Sequence, residues 1–92
     1  MKVTVEYAAQ VKKAAGTGSD VFDVDPTSTL QEVVARAVDK HGEALRSVLF
    51  AADRDLQRSI LVFVSDQQAR WDDTLVLKEG DVVTLLSPIS GG

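Results

Sequence analysis

Along the first stretch of the chain, apolar and polar positions alternate: Val3, Val5 and Tyr7 fall in one set, and Lys2, Thr4 and Glu6 in the other. A period of two sends successive side chains to opposite sides of an extended backbone, so "KVTVEYA" predicts a strand with one buried face. "DVFDVD" alternates again through Val21, Phe22 and Val24. Between the two, "AQVKKAA" reads as a short helix closed by "GTGS", where Gly16 and Gly18 suit the loop of a first hairpin.

The period then changes. Leu30, Val33, Val34, Ala37 and Val38 follow the i, i+3, i+4, i+7, i+8 stripe of an amphipathic helix, while Gln31, Arg36, Asp39 and Lys40 occupy its other face. Thr29 and Glu32 have capping-box spacing at its start, and Gly42 suits the left-handed turn that ends it. Glu43 to about Leu49 predicts a short helix, followed by a turn through "ADRD". The β-branched and aromatic run "SILVFVS" predicts a central strand. "DQQA" reads as a turn, "RWDDTLVL" as a brief strand or turn, "KEGD" as a turn with Gly80 at its tip, and "VVTLLS" as the last strand.

Two strands, a helix, an irregular stretch and further strands make an α+β domain, a mixed sheet packed on one main helix. That arrangement is the ubiquitin-like β-grasp. The helix crossover brings the first and last strands together, parallel, at the sheet centre. The expected organisation is a domain over 1–86 and an extended tail over 87–92.

Composition narrows the possible partners. A chain of 92 residues builds one domain, and 45% hydrophobic residues suffice for one modest core. A net charge of −4 with no Lys/Arg cluster argues against nucleic acid and against an anionic membrane surface, and favours a neutral or basic protein surface. The absence of cysteine removes disulfides, thiolate nucleophiles and Cys metal sites. No apolar run reaches the length of a signal peptide or of a membrane span, so the expected location is the cytoplasm.

The candidates for chemistry within the domain are weak. Asp20, Asp23 and Asp25 lack the spacing of a calcium loop and read as a solvated strand face. Asp72 and Asp73 are adjacent, have no nucleophile or histidine beside them, and suit a turn. His41, the single histidine, falls at a predicted helix end, where a cation meets the negative end of the dipole. "GTG" is not followed by the Lys-Ser/Thr of a phosphate cradle, and Trp71 reads equally as core edge or contact residue. No metal ligand set emerges.

The end of the chain is different. "LLSPISGG" carries a hydrophobic strand into a proline, small residues and two terminal glycines. At a glycine frequency of about 7%, a terminal Gly-Gly arises by chance in roughly 0.5% of chains, so alone it is a weak signal. Joined to "YAAQVKKAAG", "TLQEVVARAV" and above all "LKEGDVVTLLSPISGG", it gives the chain a resemblance to the MoaD/ThiS family of ubiquitin-like sulfur carrier proteins, most of all to its MoaD branch. The resemblance runs along nearly the whole chain and is weakest between about Gly42 and Ser59. Family tails often carry two adjacent prolines. Here Ser87 stands at the first and only Pro88 remains.

The resemblance implies a carrier and co-substrate rather than an enzyme. The Gly92 carboxylate would attack the α-phosphate of ATP on an adenylating enzyme of the MoeB/ThiF type. A sulfur donor would displace AMP, leaving a thiocarboxylate. The loaded tail would enter the large, MoaE-like subunit of molybdopterin synthase and give up its sulfur to make molybdopterin. No cofactor would be bound by the chain itself, since ATP belongs to the activating enzyme. The tail suits that chemistry. Gly91 and Gly92 lack a Cβ and would pass through a narrow, water-excluding channel, and Pro88 would stiffen the stem. An α-carboxyl with a reference pKa of about 3.3–3.7 is an anion at neutral pH. Docking is expected on the sheet face beside the tail, through Tyr7, Phe63 and Leu86 as exposed apolar contacts, each of which reads equally as core, together with Ser87, Pro88, Ile89 and Ser90. A sulfur donor for thiazole synthesis, a protein modifier joined through Gly92 to a lysine, and an interaction module with an idle tail all stay open.

Overall fold

The computed structural model describes residues 1–51 and 55–87. Its elements are β1 (Lys2–Ala9), α1 (Gln10–Ala15), β2 (Ser19–Asp23), α2 (Leu30–His41), α3 (Glu43–Leu49), β3 (Leu61–Val64), β4 (Gln67–Ala69) and β5 (Val82–Ser87). They form one five-stranded mixed sheet in the order β2-β1-β5-β3-β4. β1 and β5 are the parallel pair, from Thr4 opposite Val82 to Ala9 opposite Ser87. β2 runs antiparallel to β1, and β3 antiparallel to both β5 and β4. This is the β-grasp, with the last strand at the centre of the sheet.

Alternation decides what the core holds. Val3, Val5 and Tyr7 of β1, Val83 and Leu85 of β5 and Val62 of β3 are buried on one face. The apolar stripe of α2 (Leu30, Val33, Val34, Ala37, Val38) is buried with them in one cluster, joined by Val11, Leu45 and Leu49 from α1 and α3. Burying each such side chain contributes on the order of 1.5–3 kcal/mol, which is why two matched periods suffice to join helix and sheet.

The helix starts as its sequence predicts. The Glu32 N–H donates to Thr29 Oγ1 at 3.3 Å and the Thr29 N–H donates to Glu32 Oε1 at 3.2 Å, a complete capping box. Gly42 ends the helix at φ 77°, with its N–H donating to Val38 O at 2.7 Å. Its ψ of −153° is extended rather than αL, because the same residue opens α3 directly. α3 covers Glu43–Leu49 as expected. The turn expected through "ADRD" falls mostly on residues 52–54, outside the described residues.

"SILVFVS" supplies an interior strand as read, with β3 between β5 and β4 and β5 at the centre. Two other sequence expectations need correction here. "DQQA" is only half a turn. Ser65 and Asp66 turn the chain at φ 46° and 74°, and Gln67–Ala69 return as edge strand β4. A two-residue hairpin of this kind usually announces itself with glycine or asparagine, and a polar edge strand has no apolar alternation to reveal it. Finally, Ser87 belongs to β5 instead of starting the tail, because Ala9 pairs with it. The "KEGD" turn is as read: Gly80 sits at φ 83°, and Asp81 Oδ2 accepts from the Lys78 N–H at 2.7 Å. "RWDDTLVL" forms no strand, only a single bridge from Val76 to Thr29. Gln31 Nε2 ties the turn to α2 by donating to the carbonyls of Trp71 and Asp73.

Candidate functional site

The tail is rooted in the middle of the sheet. β5 is flanked by β1 on one side and β3 on the other, and its last ladder partners are Ala9 for Ser87 and Leu61 for Leu86. A strand held on both edges, with Val83 and Leu85 fully buried beneath it, fixes where the following residues begin. Pro88, Ile89, Ser90, Gly91 and Gly92, the expected reactive arm, lie outside the described residues.

Beside that root the sheet offers a face that none of the described helices covers. Because Val83 and Leu85 point to the core, Val82, Thr84 and Leu86 take the opposite side. The register sets Leu86 between Ala8 and Leu61 in the row nearest the tail. The next row is Glu6, Thr84, Phe63 and Gln68, and the third brings Val21 beside Thr4 and Val82. Phe63 and Leu86 are half-buried, and Val21 is 61% exposed. A face of small and apolar side chains with few charges suits docking to another protein. Phe63 and Leu86 lie on this face, with Ser87 at the root.

Tyr7 does not. It is 3% exposed and faces the helices, since it shares its parity with Val3 and Val5. Its hydroxyl donates to Asp20 Oδ2 at 2.9 Å, so the expectation of an exposed contact at Tyr7 is wrong.

Asp20 is the residue the sequence reading misjudged most. It is no solvated strand position: its side chain is 9% exposed and gathers three donors. Lys40 Nζ lies 2.6 Å from Oδ1, His41 Nε2 lies 2.6 Å from Oδ2, and the Tyr7 hydroxyl completes the set. The Tyr7 and His41 rings meet edge to face at 5.5 Å. Burial by itself would raise the Asp20 carboxyl, but hydrogen bonds from Lys40, His41 and Tyr7, with the Lys40 charge, outweigh it and hold the pKa at about 2. Burial, and then the Asp20 hydrogen bond and charge, push the Tyr7 hydroxyl well above its ordinary value. The clue was parity: Asp20 falls in step with Phe22 and Val24, so it points inward, toward the end of α2. The cluster clasps β2 and β1 to the end of α2, and it works as a structural joint.

The remaining candidates lie on the surface turns and on the helical side. Asp72 and Asp73 lie in the turn after β4, with Asp72 paired to Arg70 at 3.5 Å. Trp71 is half-buried against Phe50, their ring centroids 5.7 Å apart. Among the described residues, no cluster of three or more His, Asp or Glu side chains is placed to hold a metal ion, and no helix is long and apolar enough to cross a membrane. A groove of about 550 Å³ runs along α2 and α3 past Gln31, Val38, Arg46 and Phe50, on the helical layer.

A β-grasp domain with a central last strand and an open apolar sheet face at its end defines a class: ubiquitin-like proteins. Comparison with known proteins narrows this. Residues 5–92 match the model of the ThiS family, and the chain belongs to that family of ubiquitin-like sulfur carriers. It is 26% identical over 92 residues to the molybdopterin synthase sulfur carrier subunit of Chlamydomonas reinhardtii, with 100% of both chains covered. Its fold is similar to that of SAMP1 from Haloferax volcanii, with a TM-score of 0.90, 27% identity and 100% of both chains covered. It is also similar to a chain in the complex of subunits 1 and 2 of the molybdopterin-converting factor of Helicobacter pylori, with a TM-score of 0.62, 25% identity and 100% of both chains covered.

Proposed function

We propose that this chain is the sulfur-carrying small subunit of a molybdopterin synthase. The observation that carries the reading is the placement of the tail root: the last strand occupies the sheet centre, held on both sides, and ends beside an uncovered apolar face. That geometry suits a terminus that must enter a partner while the domain docks beside it. The end-to-end match to a molybdopterin synthase carrier subunit, and the pairing of the Helicobacter pylori relative with a second subunit, support the choice of pathway.

On this reading the Gly92 carboxylate attacks the α-phosphate of ATP on an adenylating enzyme of the MoeB/ThiF type, releasing pyrophosphate. Sulfide then displaces AMP and leaves the thiocarboxylate. The chain binds no cofactor and does no chemistry alone. It supplies a tail without bulk at Gly91 and Gly92, stiffened at Pro88, to a channel that keeps water from the acyl-adenylate. Phe63, Leu86 and Ser87 form the docking face, first for the adenylating enzyme and then for the large, MoaE-like subunit. The setting is the cytoplasm, where ATP is available.

A second reading, a protein modifier joined through Gly92 to lysines, is favoured by the likeness to SAMP1. One experiment addresses both. The protein is incubated with the adenylating enzyme of its own host, ATP and sulfide, and its intact mass should rise by about 16 Da on the C-terminal peptide, there being no cysteine to compete. Adding the host's large subunit and the pterin precursor should discharge the sulfur and restore the carboxylate. No mass gain would sink the carrier reading, whereas lysine-linked conjugates without discharge to the precursor would select the modifier.

A further inference from the structure

The sheet has two edges, and they are not alike. The β4 edge is three residues long, Gln67–Ala69, too short to template another strand. The β2 edge runs five residues, Ser19–Asp23, with no proline, no lysine and no bulge in its register against β1. Its one inward charge, Asp20, is held by Lys40, His41 and Tyr7 and does not guard the edge.

Register decides which backbone groups of β2 point outward. The Val24 N–H donates to Met1 O at 2.8 Å and the Tyr7 N–H donates to Gly18 O at 2.9 Å. Bonded and non-bonded pairs alternate along an antiparallel ladder, so Asp20 and Phe22 turn their N–H and C=O to Val5 and Val3 of β1. Ser19, Val21 and Asp23 turn theirs away from the sheet. Among the described residues, the one partner of these outward groups is the Thr17 hydroxyl, which donates to Ser19 O at 3.4 Å.

This edge is complementary to itself. When two copies pair antiparallel about Val21, every outward residue meets another: Val21 faces its counterpart, and Ser19 faces Asp23 at either end. No carboxylate opposes a carboxylate, and the exposed Val21 side chain gains an apolar neighbour. A shift of two residues in either direction loses one of the three bonded pairs. The charges above the edge agree. Asp23, Asp25 and Glu32 gather where β2 leaves toward α2. Lys40 and His41 stand at the other end, and Arg36 and Lys40 lie 5.9 Å from the Phe22 ring between them. A two-fold axis through Val21 lays the acidic end of one copy against the Lys40 end of the other. We propose that the β2 edge is a self-association site, through which two copies of this chain join their sheets into one. The edge lies beyond β1 from β5, so the proposal is independent of the carrier reading and leaves Phe63 and Leu86 uncovered.

Sedimentation equilibrium and amide exchange on the whole chain test it. With a Kd on the order of 0.1 mM, as for a small interface, the mean mass should climb from that of a monomer toward twice that value by about 1 mM. Over the same rise the Ser19, Val21 and Asp23 amides should exchange more slowly by about fivefold, while the outward amides of β4 should not. Val21→Lys and Val21→Glu change an exposed position, so each should fold with a thermal midpoint near the natural one. Each alone should stay monomeric, because the axis sets like charges together. Mixed in equal amounts, the two should associate again, since lysine then meets glutamate. A natural chain that stays monomeric at the highest concentration would overturn the proposal and leave the edge to a different partner. So would a doubled mass with those three amides unslowed, which would mean association through another surface, or a mixture no heavier than its components. The amide measurement uses the natural chain and decides even where a variant does not fold.

Discussion

Replacing Asp20 by asparagine keeps the shape of the side chain and removes its charge. In the folded protein the carboxylate is held by Lys40, His41 and Tyr7, and its pKa falls from 3.8 to about 2. A group whose pKa is depressed by folding stabilises the fold above its unfolded value and loses that contribution as pH falls through the folded one. The shift corresponds to about 2 kcal/mol at neutral pH, of which about half remains at pH 3. Asp20→Asn should therefore cost about 2 kcal/mol at pH 7, roughly 8–16 °C in thermal midpoint for a domain of this size. Urea unfolding of both proteins between pH 7 and pH 2.5 reads the difference directly. It should be flat down to about pH 4.5, near 1 kcal/mol at pH 3, and still shrinking below that. Asp20 is buried but the Lys40 side chain is 54% exposed, so added salt should weaken the Lys40 share of the cost. A loss that stays constant to pH 2.5 would mean that the damage is one of packing, and the account of a charged clasp between β2 and the end of α2 would be wrong.

Two further tests concern the proposed site. Leu86→Arg, on the open face, should change stability by no more than about 0.5 kcal/mol while raising the KM for adenylation by at least about tenfold with little change in kcat. An unchanged KM would remove the sheet face from the docking surface. Adding one alanine after Gly92 moves the reactive carbon by up to about 3.3–3.6 Å and sets a methyl group beside it. The extended chain should still dock and compete with the natural protein, yet form adenylate about a hundredfold more slowly. Normal ATP–pyrophosphate exchange by the extended chain would show that no channel selects for the glycines.

What could be read directly from the chain was local and periodic. Two alternations, the Leu30–Val38 stripe and the Thr29–Glu32 box specify their elements because a period of two or of 3.6 and a cap act within a few residues. The tail motif is legible for the same reason, as its chemistry depends only on adjacent residue types. Side-chain orientation across the sheet is different. Tyr7 reads as an apolar contact until register against β5 and β2 places it under the helix and points its hydroxyl at Asp20. Asp20 reads as solvated until the end of α2 brings Lys40 and His41 to within 2.6 Å of it, across 20 and 21 residues of chain. Edge strand β4 and the turn at Ser65–Asp66 carry no sequence signature, because a partner strand and not their composition supplies their order. The backbone of Ala9, at φ 58° and ψ −127° between β1 and α1, is the extreme case. Alanine has no preference for that conformation, and only the simultaneous burial of β1 and α1, with no residue between them, imposes it on the position that faces the tail root.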